Sequence, residues 1–301
     1  MNSISEVPKK VIVPLAGIGT RLLPSTKAIP KEMLPILDKP MIQYVVEEIA
    51  CAEFEEIIFV THSSKNSIEN HFDESFDLLG SLNKTKKKHL KDLSSISNLD
   101  VKIISIRQKE PKGLGHAVLC AKPLIKNEPF AVVLPDRIFN PKEKGKNLKN
   151  MKNLFIKNHN TLLLLEEVKP EDVTKYGIVK LAQKKEVQEL NKIIDIVEKP
   201  QMKIAPSNLA VLGRYIFNFS IFNYLEKITM NNSGEFELTD AIKKMIKDET
   251  VQGIKSKDIC FDCGDKLGYA KAFYSISLEN NLFSKELLDF LKNLTKSKSG
   301  K

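Results

Sequence analysis

The stretch VIVPLAGIGTR, residues 11–21, decides the fold, because it joins a short apolar run to a glycine-rich turn. An apolar run of this length fits a buried strand. A second apolar run, EIIFVT at residues 56–61, follows a helical stretch that begins next to Pro40. The apolar residues of that helix recur at i, i+3, i+4 and i+7: Ile42, Val45, Val46 and Ile49. Strand, helix and strand in this order are typical of a layered α/β protein.

The rest of the chain continues this alternation of strands and helices. Further strands are predicted at residues 101–106, 131–134, 162–165, 178–181, 193–197 and 209–212. Helices are predicted after Gly115, over residues 219–228, from residue 239, and over residues 267–294. The pattern predicts an α/β fold with a Rossmann-like mixed, mainly parallel sheet flanked by helices. We expect one domain over residues 1–301, with a polar excursion at 80–98 and a C-terminal helical segment at 266–294.

Composition excludes disorder and argues against a nucleic-acid partner. The chain has 301 residues, 42% of them hydrophobic, which is enough for a substantial core. Its formal net charge of +9 comes almost entirely from lysine, and the four arginines are Arg21, Arg107, Arg137 and Arg214. Lysine lacks the planar guanidinium group with which arginine recognises guanine. Tryptophan is absent, so the chain offers few side chains on which bases could stack. Anionic small-molecule substrates remain compatible with this charge.

The sequence predicts a cytoplasmic protein without a membrane partner. The first ten residues contain no apolar targeting segment, and no later run reaches the length of a membrane span. Of the four cysteines, Cys260 and Cys263 form a C-F-D-C motif, but no second such motif or histidine pair completes a zinc site. We therefore expect reduced, unligated cysteines.

The turn after the first strand is a candidate phosphate-binding loop. Glycine accepts unusual dihedral angles and lets backbone N–H groups converge on an anion. Neither the dinucleotide fingerprint, which fails at Leu22, nor a Walker A motif is present. The pair Gly17 and Gly19 alone fits a tight structural turn equally well. The cations that follow in a proline-broken stretch favour a triphosphate: Arg21, Lys27 and Lys31.

Two carboxylates are candidates for a metal site. Asp136 ends the apolar run of residues 131–134, and Asp262 follows a second short apolar segment. Mg²⁺ is usually held by one or two carboxylates together with phosphate oxygens of the substrate. Either aspartate alone is more simply explained as a turn residue.

Four stretches carry a resemblance to a known family. The run LAGIGTRLLPSTKAIPKEMLPILDKPMIQYVVEE at residues 15–48 resembles the signature of the sugar-1-phosphate nucleotidyltransferases. The stretches THSSKNSIENHFD at 61–73, KGLGHAVLCA at 112–121 and EKPQMKIAPSNLAVLGRY at 198–215 are similar to its bacterial branch that uses UTP and glucose 1-phosphate. The resemblance runs in order from about Val11 to the last helix.

The resemblance implies a role for individual residues. The nucleotide would be bound by Ala16, Gly17, Gly19, Thr20, Gln108 and Gly113, with Gln108 at the uracil edge. The catalytic residues would be Arg21, Lys31, Asp136 and Lys199, the first two on the triphosphate and Lys199 on the sugar phosphate. Asp136 would be the principal Mg²⁺ ligand and Asp262 a second one. The sugar site would comprise Gly177, Glu198, Asn208 and Gly213.

The reaction implied is transfer of a uridylyl group from UTP to glucose 1-phosphate, with Mg²⁺ as cofactor, in a homodimer or homotetramer. The five histidines form no nucleophilic constellation with Ser or Cys, and the reaction needs no general base. Two alternatives are a thymidylyltransferase that uses dTTP and a non-catalytic regulatory protein on the same fold. Arg137 stands where the family usually has an acidic or aliphatic residue, so it either adds a cation beside the metal or points outward.

Overall fold

The computed structural model describes residues 6–74, 99–182, 190–231 and 233–299. The polar excursion expected at 80–98 lies outside these residues. Nine strands of the described chain form one central sheet, with apolar side chains packed against both of its faces. The predicted α/β fold with a mixed sheet flanked by helices is confirmed.

Strands and helices alternate along most of the chain. The strands are β1 (Lys10–Pro14), β2 (Pro35–Ile36), β3 (Lys39–Pro40), β4 (Glu56–Thr61), β5 (Lys102–Arg107), β6 (Phe130–Val133), β7 (Arg137–Phe139), β8 (Thr161–Glu167), β9 (Gly177–Leu181), β10 (Asn191–Glu198), β11 (Leu209–Phe217), β12 (Val251–Lys255) and β13 (Cys260–Asp262). The α-helices are α1 (Met41–Cys51), α2 (Asn66–Phe72), α3 (Leu114–Cys120), α4 (Lys122–Ile125), α5 (Lys146–Asn158), α6 (Ile221–Leu225), α7 (Leu238–Asp248), α8 (Lys266–Leu278) and α9 (Ser284–Ser299).

The central sheet has the strand order β5-β4-β1-β6-β11-β8-β12-β10-β9. Strands β5, β4, β1 and β6 are mutually parallel, and β8 and β12 form a further parallel pair. The other neighbouring strands pair antiparallel. The sheet is therefore mixed, and it contains more antiparallel pairs than the predicted, mainly parallel sheet would have. The two short ribbons β2–β3 and β7–β13 lie outside this sheet.

The parallel half of the sheet brings distant loops to one edge. Ile12 of β1 lies in register with Ile58 of β4 on one side and Val132 of β6 on the other. Since these strands run the same way, their carboxyl ends open at the same edge, where open α/β sheets bind ligands. The loop after β1, the residues after β5 and the residues after β6 therefore meet there.

The core lies on both faces of the sheet because alternate residues of a strand point to opposite sides. Val11 and Val13 of β1 face the cluster that contains α1, whereas Ile12 faces the cluster that contains α3 and α7. The stripe predicted for α1 is confirmed, and its four members are fully buried: Ile42, Val45, Val46 and Ile49. A strand buried on both faces is apolar throughout, as residues 11–13 are.

The prediction of a single C-terminal helix over residues 267–294 is wrong. This segment divides into α8 and α9, because Asn280 forms a turn between them in which its side chain accepts from the backbone N–H of Leu282 at 2.9 Å. Such local side-chain bonds compete with helix formation.

The elements that the sequence analysis missed include strand β12 and helix α5. Strand β12 carries a glycine, Gly253, at a point where a Cβ atom would lie 2.3 Å from Leu165, and this glycine interrupts the run of residues typical of strands. Helix α5 lies in a lysine-rich stretch whose apolar residues are few. They nevertheless form a buried stripe: Leu148, Met151, Leu154 and Phe155.

In the described ranges, no helix combines the length and the apolar character needed to cross a bilayer.

Candidate active site

A cavity of about 500 Å³ lies at the carboxyl edge of the parallel strands. Residues from four separate segments line it: the turn after β1, the segment after β5, the end of β6 and the segment before α7. The predicted site residues among its lining are Ala16, Gly17, Gly19, Thr20, Lys31, Gln108, Gly113 and Asp136. The fold therefore brings together residues that are up to 120 positions apart in sequence.

The glycine turn is fixed in a conformation that few other residues adopt. Gly19 has a φ of 75° and begins the 3₁₀ turn Thr20–Leu22. A Cβ atom on Gly19 would approach the Cβ of Lys31 to 3.1 Å, so glycine permits the loop to lie against that lysine. Thr26 donates from Oγ1 to the Gly19 carbonyl at 2.8 Å and holds the loop from behind. The backbone of the loop is thus left facing the cavity.

Lys31 and Asp136 form a short ion pair at the floor of the cavity. Lys31 Nζ lies 2.7 Å from Asp136 Oδ2, and each side chain is about 15% exposed. Burial acts to raise the pKa of Asp136, but the charges of Lys31, Arg137 and Arg21 outweigh it and hold that pKa well below its usual range. Asp136 is therefore a carboxylate at neutral pH, which a metal ligand must be.

A second carboxylate faces Asp136 across Gly264. Arg137 of β7 lies opposite Asp262 of β13, and the Asp136 carbonyl accepts from the backbone N–H of Cys263 at 2.8 Å. A Cβ atom on Gly264 would lie 3.0 Å from both Asp136 Oδ2 and Asp262 Oδ1, and 2.9 Å from a guanidinium nitrogen of Arg21. Glycine at this position leaves a space bordered by two carboxylates and one cation.

The donor set around Gly264 fits a hard divalent ion such as Mg²⁺. The two aspartates supply oxygen ligands. Among the described residues, no group of three or more His, Cys, Asp or Glu side chains lies close enough together to hold a metal ion. Mg²⁺ suits such a site because it keeps water ligands and takes further oxygens from a phosphate substrate.

Arg137 points inward, which decides between the two alternatives left open by the sequence. It is 7% exposed, its Nη2 atom lies 3.6 Å from Asp262 Oδ2, and its guanidinium lies 4.4 Å from the centre of the Tyr176 ring. Tyr176 in turn donates from its hydroxyl to Asp262 Oδ2 at 3.1 Å. Arg137 and Tyr176 thus hold one oxygen of Asp262 and leave the other toward Gly264.

A buried ion pair supports the backbone on both sides of Asp136. Arg214 in β11 is fully buried and bonds Glu48 of α1 twice, at 2.9 Å through Nε and at 2.6 Å through Nη2. Its other N–H groups donate to the carbonyl oxygens of Leu134 at 3.1 Å and Arg137 at 2.7 Å. The segment that carries Asp136 is thereby fastened to the core.

The far end of the cavity is polar and closely built. Gln108 is 2% exposed, and its Nε2 atom donates to the Gly113 carbonyl at 3.2 Å and contacts His116 Nδ1 at 2.8 Å. Gly113 has a φ of 89°, and a Cβ atom there would meet the backbone oxygen of Phe236 at 2.9 Å. Glycine is therefore needed where this loop packs on the segment before α7.

A second cavity of about 470 Å³ adjoins the first, and Glu235 lines both. Glu198 and Lys199 lie on its wall with their side chains 3.3 Å apart. Glu198 also accepts from Thr239 Oγ1 at 2.6 Å, and a Cβ atom on Gly177 would lie 3.2 Å from Glu198 Oε2. Glu198, Lys199 and Gly177, which were predicted for the sugar and its phosphate, therefore cluster beside the first cavity.

The other two residues predicted for the sugar are placed differently. Asn208 lies at the start of β11, where its backbone carbonyl accepts from Val168 N at 2.9 Å, and it lines neither cavity. Gly213 has a φ of 70° in β11 and packs on Leu134, where a Cβ atom would come within 2.8 Å of the leucine side chain. Gly213 thus supports the cavity wall from behind.

The sequence analysis missed Glu237, which also lines the second cavity. Burial and the neighbouring charge of Glu198 raise its pKa to about 7. The signal available in the sequence was the Glu-x-Glu spacing of residues 235–237 directly before a helix.

Cys51, Cys120, Cys260 and Cys263 form no disulfide in the structure. Burial raises the pKa of Cys260 to about 12, and it also raises that of Cys263, so both thiols stay protonated at neutral pH.

Comparisons with known proteins agree with this geometry. A family model described as nucleotidyl transferase matches residues 10–278. The UTP–glucose-1-phosphate uridylyltransferase of Haemophilus ducreyi is 48% identical over 293 residues, which cover 96% of this chain and 99% of that protein. The structure of a UTP-bound UGPase from Acinetobacter baumannii has 41% identity and a TM-score of 0.85, with 95% and 99% of the two chains covered. A UDP-glucose pyrophosphorylase complexed with UDP-glucose has 40% identity and a TM-score of 0.82, with 91% and 100% covered.

Proposed function

The chain belongs to the nucleotidyl transferase family, and from this premise we propose that it transfers a uridylyl group from UTP to glucose 1-phosphate, giving UDP-glucose and pyrophosphate. The observation that carries the proposal is the pair of adjoining cavities, which share Glu235, together with the Lys31–Asp136 ion pair that lines the first of them. One cavity has the size and lining for a nucleotide, and the other has a cation and carboxylates for a sugar phosphate.

The nucleotide would lie along the first cavity. Its base would lie against Gln108 and Gly113, and its phosphates would lie over the backbone N–H groups of the Gly17–Thr20 turn. Arg21 and Lys31 would neutralise the triphosphate and the departing pyrophosphate. Lys31 is held by Asp136 in the structure, so it is already oriented toward the place where this charge develops.

Asp136 and Asp262 would hold Mg²⁺ together with phosphate oxygens of UTP. When bound, the ion stabilises negative charge that develops on the phosphates in the transition state. Lys31, which the structure pairs with Asp136, would bind the triphosphate with its ammonium group once that carboxylate holds the metal.

The sugar phosphate would enter from the second cavity. Lys199 would bind its phosphate, while Glu198 and the backbone at Gly177 would bind the hydroxyl groups of the sugar. The second pKa of a phosphate monoester is about 6, so its oxygen is already ionised at neutral pH and no general base is needed. The protein then contributes in-line placement and charge neutralisation.

We also propose a homodimer or homotetramer located in the cytoplasm. The support for an oligomer is the row of apolar side chains exposed around α9: Leu282, Leu288 and Phe290. The support for the location is that the four cysteines form no disulfide.

Pyrophosphate release measured with UTP, dTTP, GTP and ATP, each with glucose 1-phosphate and with or without Mg²⁺, tests the proposed function. We expect release to be fastest with UTP and to depend on both Mg²⁺ and the sugar phosphate. Faster release with dTTP would assign the chain to thymidylyl transfer instead. No release with any nucleotide would refute the enzymatic function.

A further inference from the structure

The amide of Gln108 has a fixed orientation at the base end of the first cavity. Both hydrogens of its Nε2 atom have partners, the Gly113 carbonyl at 3.2 Å and His116 Nδ1 at 2.8 Å. The backbone N–H of Gln108 donates to the Thr61 carbonyl at 2.8 Å, which fixes the main chain from which the side chain extends. Within the described part of the chain, no donor is bonded to Oε1. The amide therefore presents an acceptor to the ligand.

His116 is itself held in a defined orientation. Its Nε2 atom lies 3.9 Å from Cys120 Sγ, and its ring stacks on Phe236 with centroids 6.1 Å apart. Burial lowers the pKa of His116, so the imidazole is neutral at neutral pH. Because Gln108 donates to Nδ1, the proton of the neutral ring lies on Nε2.

We infer that His116 is a positioning residue for nucleobase selection: by accepting from Gln108 Nε2, it turns the Gln108 carbonyl oxygen toward the base. The inference rests on the proposed use of UTP. The contacts of His116 given above run to Gln108, Cys120 and Phe236, so it acts through Gln108 rather than on the substrate.

The fixed acceptor distinguishes two classes of pyrimidine. Uracil and thymine carry a hydrogen on N3, which can be donated to Gln108 Oε1. Cytosine has an unprotonated N3, which would place two acceptors opposite each other. A site built to bond an N–H group discriminates strongly against an analogue that lacks it, because the buried acceptor is then left without a partner.

The substitution His116→Phe tests the inference, since it keeps a ring beside Phe236 but removes the acceptor. Released from His116, the amide can rotate, and we expect KM for UTP to rise about tenfold, the equivalent of one hydrogen bond. The ratio of kcat/KM for UTP to that for CTP should fall by about tenfold or more, while KM for glucose 1-phosphate stays constant. His116→Asn offers Oδ1 near the position of Nδ1 and should restore most of the selectivity.

His71→Phe is the matched control, because His71 Nε2 lies 3.0 Å from Gln43 Oε1 in a second half-buried His–Gln pair, and neither residue lines the cavity. It should leave the UTP to CTP ratio unchanged. In a Gln108→Ala background, His116→Phe should have no further effect on that ratio, since the two residues act as a unit.

An unchanged UTP to CTP ratio in His116→Phe, or additive effects in the double variant, would overturn the inference. Should the Phe variant fail to fold, ¹⁵N imidazole shifts of the wild-type protein decide the question, with the His116 signal assigned from His116→Asn. A protonated Nδ1 would refute the proposed bond, and an unprotonated Nδ1 supports it. Wild-type turnover with UTP, measured in the same assay, separates failure of the proposed function from failure of this inference.

Discussion

Replacing Glu48 by glutamine should destabilise the protein strongly, because Glu48 is the only carboxylate among the described residues that is bonded to Arg214. The guanidinium of Arg214 is 0% exposed, and both bonds to Glu48 are short. Breaking a buried ion pair by removing one partner costs about 3–5 kcal/mol. Arg214 keeps three backbone carbonyl acceptors, on Leu134, Gly213 and Arg137, so we expect a loss near the lower end, about 3 kcal/mol.

Chemical denaturation followed by circular dichroism measures this loss. The control is Glu167→Gln, which breaks an ion pair with Lys255 that is about half exposed and should cost no more than about 1 kcal/mol. The carbonyls that Arg214 binds flank Asp136, so kcat of the folded Glu48 variant should fall as well. A stability loss as small as that of the control, with normal kcat, would refute the argument that this pair supports the site.

Three further predictions concern the two cavities. Asp136→Asn should lower kcat by about 100-fold or more, because it removes a charge that we propose to hold the metal. Near-normal turnover at saturating Mg²⁺ would contradict this assignment. Lys199→Ala should raise KM for glucose 1-phosphate about 10- to 100-fold through loss of a charge-assisted bond, while calorimetry shows unchanged UTP binding. Equal losses for both ligands would argue against it. Glu237 has a pKa raised from 4.5 to about 7, so the folded protein holds a proton there that the unfolded chain releases, and this contribution to stability is lost as pH rises from 4.5 to 7. Denaturation at pH 5 and pH 8 should therefore show Glu237→Gln gaining stability relative to the wild type at the higher pH, whereas a pH-independent difference would disprove the shift.

The residues that follow parallel strands could be placed from the sequence because the topology determines their position. Once β1, β4 and β6 are parallel, the Gly17–Gly19 turn and Asp136 must lie at one edge of the sheet. This inference needs only strand order and direction. It does not depend on the packing of any individual side chain.

Interactions between distant side chains could not be predicted in this way. The inward orientation of Arg137 depends on Tyr176 and Asp262, which reach it from two other elements. The raised pKa of Glu237 depends on burial against the strand that ends in Glu198. Strand β12 escaped recognition for a similar reason, since Gly253 is explained only by the close approach of Leu165. Each of these features is a property of the assembled fold.

The β7–β13 ribbon has a consequence for the order in which the protein becomes competent during synthesis. It joins Arg137 to Asp262, so the two carboxylates proposed to hold the metal come from segments that a ribosome produces far apart in time. The nucleotide loop, Lys31 and Asp136 are all translated within the first half of the chain, and chains begin to fold before they are complete. The residues that complete the first cavity follow later, because Arg214 of β11 binds the backbone beside Asp136 and Glu235 lines the cavity wall. The second carboxylate arrives last, after β13 has emerged, so the first cavity and the proposed metal site are both completed in the second half of synthesis.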